Sequence, residues 1–319
     1  MSIKIVSPLA FHLQSAIDIL LAGDLIAIPT ETVYGLAADA TNDLAVAKIY
    51  ALKKRPTFNP LIIHLADAAH AEEYVIFDER ARLLAKAFWP GPLTLVLPRR
   101  PECSISLLAS AGLESLAVRI PSHPVALKVL NDLKRPIAAP SANPSGQISP
   151  TRPEHVLEGF LGDKNPQLIL DGGACQGGIE STVVNLTTEP ATLLRPGLIS
   201  REQIEDIIGF LGEFIENDEK VLSPGQLLKH YAPQTKVRLN ANTVAGDEAL
   251  LAFGPKILSG ASKTLNLSTS SNLLEAAANL FAMLHELDQG QFRAIVVMEI
   301  PMSGIGIAIN DRLKRAAQD

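Results

Sequence analysis

Cysteine is nearly absent from this chain: Cys103 and Cys175 are the only two in 319 residues. Two thiols make no disulfide framework and cannot build a cysteine-rich zinc site, so a reducing, cytoplasmic setting is expected. None of the seven histidines falls in an HExxH or comparable ligand spacing, so no dedicated protein metal site is expected. Aromatics are scarce at 5%, with the single tryptophan Trp89 wedged beside Pro90 and Gly91, where it reads as a packing anchor. A net charge of −6 supplies no global positive field, so a polyanion must be met by a local cluster. Near the N-terminus Asp18 and Asp24 interrupt the apolar run, and no uninterrupted apolar stretch is long enough to span a bilayer; no membrane association is expected. Hydrophobic content of 47% and a mean hydropathy of +0.19 fit a globular chain with room for two domains.

What is present concentrates between Leu25 and Leu65. Leu25–Ile28 reads as a buried strand, and Pro29-Thr30-Glu31-Thr32-Val33-Tyr34-Gly35 as a turn offering two hydroxyls, a carboxylate and a phenol. A helix is expected over Asn42–Leu52, capped by Thr41 or Asn42 and ended by Lys53-Lys54-Arg55-Pro56. Leu61–Leu65 is a strand carrying His64. Taken singly, Lys53 and Arg55 suit a helix C-terminus, and His64 a half-buried strand. Hydroxyls, cations, amide and imidazole gathered at the ends of one strand–helix–strand unit point instead to a phosphate-binding cleft, because element ends are where α/β folds bind ligands.

Further along, Phe11–Ala22 and Ala68–Phe88 read as helices and Thr94–Leu97 as a strand. In Leu116-Ala117-Val118-Arg119-Ile120 the apolar residues share one face, so Arg119 points the other way, either to solvent or into a lined cavity. Its guanidinium suits a carboxylate. Pro136–Ala139 is a strand followed by the Ser/Asn turn Pro140–Gly146, a helix begins near Pro153, and Gln167–Leu170 is a strand. The glycine-rich stretch Asp171–Gly178 reads as a flexible loop and lacks Walker spacing; Cys175 within it reads as incidental. Strands over Thr182–Leu186 and Ala191–Leu194 and a helix over Ser200–Leu211 complete a mixed-sheet α/β domain over 1–211. A segment rich in His, Tyr and Lys at 212–234 reads as a linker that docks over the site, and 235–319 as a smaller α/β domain without a catalytic constellation. Its Gly304-Ile305-Gly306 fails the dinucleotide fingerprint.

In chain order the motifs PTETVYG, KKRP with NPLIIH, LAVRIPSHP, APSANPSG with SPT, STVVNL, LRPG and SPGQLLKHYAP resemble the YrdC-type L-threonylcarbamoyladenylate synthases in their long, two-domain form. The resemblance spans essentially the whole chain; only Gln226–Lys229 departs from the commoner Met-Lys-Tyr-Arg. It implies a twisted mixed sheet with an open concave cavity and a smaller Rossmann-like C-terminal domain. It also implies a nucleotidyltransferase that joins L-threonine, bicarbonate and ATP into threonylcarbamoyl-AMP and pyrophosphate, with Mg²⁺ accompanying ATP. The product would pass to the tRNA threonylcarbamoyl-transferase machinery for the adenosine next to the anticodon. Carried over residue by residue, the ATP contacts are Lys53, Arg55, Asn59, Ser115, Ser141, Asn143, Ser149, Arg195 and Tyr231, with Lys53 and Arg55 catalytic. The threonine contacts are Thr32, His64, Arg119, Ser181 and, through backbone only, Ala139. An RNA-binding module is disfavoured by the charge and the few aromatics, which leave room for no more than a weak contact with RNA. A carbamoyltransferase of the hydrogenase-maturation kind would bring zinc-finger cysteines that are missing here.

Overall fold

The computed structural model describes residues 4–160, 166–212, 231–288, 290 and 292–318. Strands β1 (Ile5–Val6), β2 (Ile26–Ile28), β3 (Gly35–Asp39), β4 (Ile62–His64), β5 (Leu93–Pro98), β6 (Ser115–Arg119), β7 (Ile137–Ala138), β8 (Leu168–Leu170), β9 (Thr182–Asn185) and β10 (Thr192–Arg195) form one sheet. Its order is β1-β8-β2-β3-β7-β4-β6-β5-β9-β10, with parallel and antiparallel pairs mixed. Helices α1 (Ala10–Leu21), α2 (Asp43–Lys53), α3 (Ala68–Glu72), α4 (Glu79–Phe88), α5 (Pro124–Leu133), α6 (Pro153–Gly159) and α7 (Arg201–Ile208) accompany it.

Local chemistry sets most of these ends. Asn42 Oδ1 accepts from Leu44 N (3.0 Å) and Ala45 N (3.1 Å) to start α2, and Lys54 turns left-handed (φ 52°) to stop it before Pro56. Ser200 and Gln203 form a reciprocal capping box on α7. Leu116 and Val118 of β6, with Ile120 just past its end, join the main apolar core while Ala117 belongs to a separate small cluster on the opposite face, as period-2 alternation requires.

Three stretches differ from expectation. The long helix over 68–88 is two, because Val75 leaves the helix to bridge Arg99 and Asp78 restarts it by accepting from Ala81 N (2.8 Å). Gly35–Asp39 is a buried strand whose glycine and alanines carry little β-propensity; pairing with β2 and β7 makes it one. Helix α5 was not anticipated, although Pro124 in its first turn and His123 as N-cap mark its start.

The second unit has β11 (Val237–Arg238), β12 (Ala249–Ala252), β13 (Lys263–Asn266) and β14 (Ile295–Val297) in the all-parallel order β11-β14-β12-β13, with α8 (Leu273–Leu287) and α9 (Ile305–Ala316). Its core does not stop at its own boundary: Val33, Ile148 and Ile179 of the first unit, and Tyr231, pack into it. The expected linker lies outside the described residues over 213–230; Tyr231 is its first described side chain and is fully buried. No described helix is long and apolar enough to cross a membrane.

Candidate active site

The Thr-rich turn closes on its own side chains. Thr30 Oγ1 accepts from Thr32 N and Val33 N (both 3.2 Å), donates to Val33 O (2.6 Å) and lies 2.8 Å from Thr32 Oγ1. Both hydroxyls are thereby fixed toward a cavity with about 510 Å³ of empty space counted out to its mouth. Tyr34, expected to offer its phenol there, turns the other way: it donates to Gly173 O (2.8 Å) and accepts from Gly172 N (3.1 Å). With Cys175 N on Thr151 O (2.9 Å) and Gly177 N on Glu31 O (2.7 Å), this ties down the glycine-rich loop that was expected to be flexible. Cys175 is buried, which pushes its thiol up to about 12, an inert setting.

Arg119 faces the cavity, which settles the alternative left open by its strand. Its Nε donates to Gly91 O (3.2 Å), Nη1 to Thr32 Oγ1 (2.9 Å), and Nη2 stands 2.7 Å from Glu31 Oε1. Directly opposite Arg119 in the β4–β6 register stands His64. Burial, reinforced by the Arg119 charge, lowers its pKa to about 3, so the ring is neutral, and its buried Nδ1 has no hydrogen-bond partner among the described residues. Ser181 Oγ pairs with Thr94 Oγ1 (2.7 Å) and accepts from Arg195 Nη2 (3.0 Å), while Arg195 Nε donates to Ser181 O (3.0 Å). Arg55 is braced by Asn59 O (3.0 Å) and Pro60 O (2.8 Å), and by the Asn59 side chain. Burial brings its pKa down to about 10, which leaves it charged at neutral pH.

Of the residues singled out from sequence, Thr32, Arg55, His64, Arg119, Ala139, Ser141, Ser181, Arg195 and Tyr231 line this one cavity. Five do not. Lys53 is 1% exposed and spends its ammonium on the carbonyls of Ser141 and Asn143, behind the wall; burial lowers its pKa well below the usual lysine range. Asn59 braces Arg55, and Asn143 holds its own turn through Pro144 O (3.1 Å) and Gln147 O (2.8 Å). Ser149 donates to Glu180 Oε1. Ser115 lies on the same face of β6 as Arg119 but four residues away, about 13 Å at strand rise. Two carboxylates of the site had no assigned role in the sequence: Glu31, visible in its turn, and Glu180, which no local motif marks.

Residues 18–197 match the Sua5/YciO/YrdC family model, described as "Telomere recombination", and residues 199–318 match "Threonylcarbamoyl-AMP synthase, C-terminal domain". The chain belongs to the Sua5/YciO/YrdC family. Among its relatives, the threonylcarbamoyl-AMP synthase of Bacillus subtilis is 37% identical over 96% of this chain and 93% of its own length. That of Pyrococcus abyssi is 39% identical over 92% and 91%. The crystal structure of P. abyssi Sua5 complexed with L-threonine superposes with a TM-score of 0.89 at 35% identity, covering 99% of this chain and 96% of that one. The two-domain Sua5 architecture is thus present throughout.

Proposed function

We propose that this chain joins L-threonine, bicarbonate and ATP into threonylcarbamoyl-AMP and pyrophosphate, the activated donor for threonylcarbamoyl modification of the tRNA adenosine next to the anticodon. One observation carries the reading: Arg55, Arg119 and Arg195, a neutral His64 and the hydroxyl-bearing Thr32, Ser141 and Ser181 converge on one cavity of a Sua5-type sheet. That set offers a cationic place for a triphosphate beside a place for an α-amino acid.

Arg119 takes the threonine carboxylate, with Glu31 holding the guanidinium from behind. The unpartnered His64 Nδ1 and Thr32 Oγ1 serve the threonine hydroxyl, and Ser181 and the Ala139 backbone complete that end. The free amine attacks bicarbonate-derived carbon dioxide to give a carbamate; a carbamate oxygen attacks the α-phosphorus, and the bond to the β-phosphate oxygen breaks with pyrophosphate leaving. The protein's part is placement and charge neutralisation, without a covalent nucleophile. Arg55 and Arg195 face the triphosphate with Ser141 and Tyr231; Lys53 holds the Ser141 carbonyl and Asn59 braces Arg55, while Asn143 shapes the turn after Ser141, Ser149 holds Glu180, and Ser115 lies off this wall.

Glu180, the one carboxylate on the cavity wall among the described residues, is engaged at both oxygens, so the donor set fits Mg²⁺ that arrives bound to the nucleotide phosphates. It would add charge neutralisation there. We place the reaction in the cytoplasm, with the unstable adenylate passed to a tRNA-modifying transferase and no more than weak contact with RNA, given the net charge of −6. The test is pyrophosphate release with threonine, bicarbonate or ATP omitted in turn. Release must need all three; release without threonine or bicarbonate refutes the reading.

A further inference from the structure

The second domain reaches the cavity wall through Glu180, a charged point set in an apolar seam. Along that seam Val33, Ile148 and Ile179 enter the second domain's core, and the backbones meet at Gly178. There φ is +70°, and an added Cβ would lie 2.3 Å from the carbonyl oxygen of Ala277 on α8. His285 of α8 adds a 3.2 Å contact from Nε2 to Ser149 O. In the middle lies Arg312 of α9, fully buried, its Nε 2.8 Å from Glu180 Oε2. Its guanidinium also sits 5.3 Å from the Tyr231 ring centre, and that ring stacks on Phe281 at 5.4 Å.

Glu180 stands on the wall of a cavity read above as a triphosphate site, where a fixed negative charge opposes binding. Arg195 faces the same cavity and is the other guanidinium whose charge acts on Glu180. We propose that Arg312 is a positioning residue: by holding Glu180 turned toward the second domain, it keeps that carboxylate from repelling the nucleotide and from capturing Arg195. ATP binding by the first domain then depends on the second domain being docked. This rests on the nucleotide reading of the cavity. The state of Glu180 fits: burial acts to raise its pKa, yet Arg312, Arg195 and the Ser149 hydroxyl hold it down at about 2, so it is charged at neutral pH. Arg312 stays charged as well, since the surrounding Tyr231, Glu180 and Asp311 outweigh the cost of its burial.

The experiment measures initial rates of pyrophosphate release by the full chain, with ATP and threonine titrated separately. Arg312→Met should raise the KM for ATP on the order of 10–100-fold and that for threonine less than about threefold, because an uncompensated charge acts on phosphates and not on a neutral zwitterion. Adding Glu180→Gln to Arg312→Met should bring the ATP KM back to within about fivefold of wild type. A purely structural role predicts the opposite, since the double variant also lacks the ion pair and would stay as weak as the single one. Should Arg312→Met fail to fold, Arg312→Gln retains a donor toward Glu180 without the charge and carries the same expectations. An unchanged ATP KM in the single variant, or no recovery in the double, overturns the proposal. A wild-type chain inert toward threonine and bicarbonate would instead sink the functional reading itself.

Discussion

Replacing Arg119 by lysine tests the amino-acid end of the cavity most sharply. The charge survives, but the planar fork does not. Arg119 is 3% exposed, hydrogen-bonded to Gly91 O and Thr32 Oγ1, and ion-paired with Glu31 at 2.7 Å. That grip fixes the guanidinium plane for two parallel hydrogen bonds to a carboxylate. A lysine ammonium in the same pocket can satisfy Glu31 or a substrate carboxylate in part, and loses at least one charge-assisted hydrogen bond. Each is worth about 1.5–3 kcal/mol, so the KM for threonine should rise about 10- to 150-fold. The ATP KM should move by less than about threefold, because Arg55 and Arg195 keep their own braces on Asn59 and Ser181. Initial-rate pyrophosphate release at saturating ATP and bicarbonate, with near-UV circular dichroism as the check on folding, reads this out. A folded variant with an unchanged threonine KM, or one whose ATP KM rises as far as its threonine KM, shows that Arg119 does not hold the carboxylate.

Lys53→Met removes the hold on the carbonyls of Ser141 and Asn143, so turnover should fall together with amide-exchange protection across 141–146; lost turnover with full protection would mean that Lys53 touches the phosphates directly. Gly178→Ala places a methyl against α8 at a backbone conformation suited to glycine, and should lower stability by roughly 2 kcal/mol or more in chemical denaturation; an unchanged midpoint would show that the two domains do not meet there. His64 and His155 both have pKa values lowered to about 3 by burial, so the unfolded chain binds protons that the folded chain refuses between pH 6.5 and about 3. Their contribution is complete above pH 6.5 and is lost as pH falls, by up to about 1.4 kcal/mol per pH unit for each; His155→Gln should flatten that slope by one proton, and an unaltered slope would count against it.

Much of the first domain was legible because it is written in local, periodic chemistry. The alternation around Arg119 separated its two faces, and Asn42 announced the start of α2. Strand β3 and the break between α3 and α4 were not, since pairing with the distant β7 and the Val75–Arg99 bridge decide them. At the site, residue types and their order along the chain pointed to the cleft and to its cations, hydroxyls and imidazole. Which of those groups reach the cavity is a different matter. Lys53 and Arg55 are two residues apart, yet one braces a loop from behind and the other lines the wall, because the left-handed turn at Lys54 sends the chain around a corner. The pairing of Glu180 with Arg312 spans 132 residues and two domains. No pattern in the chain encodes it: a buried carboxylate finds its partner only when both domains have packed and water has been excluded from between them.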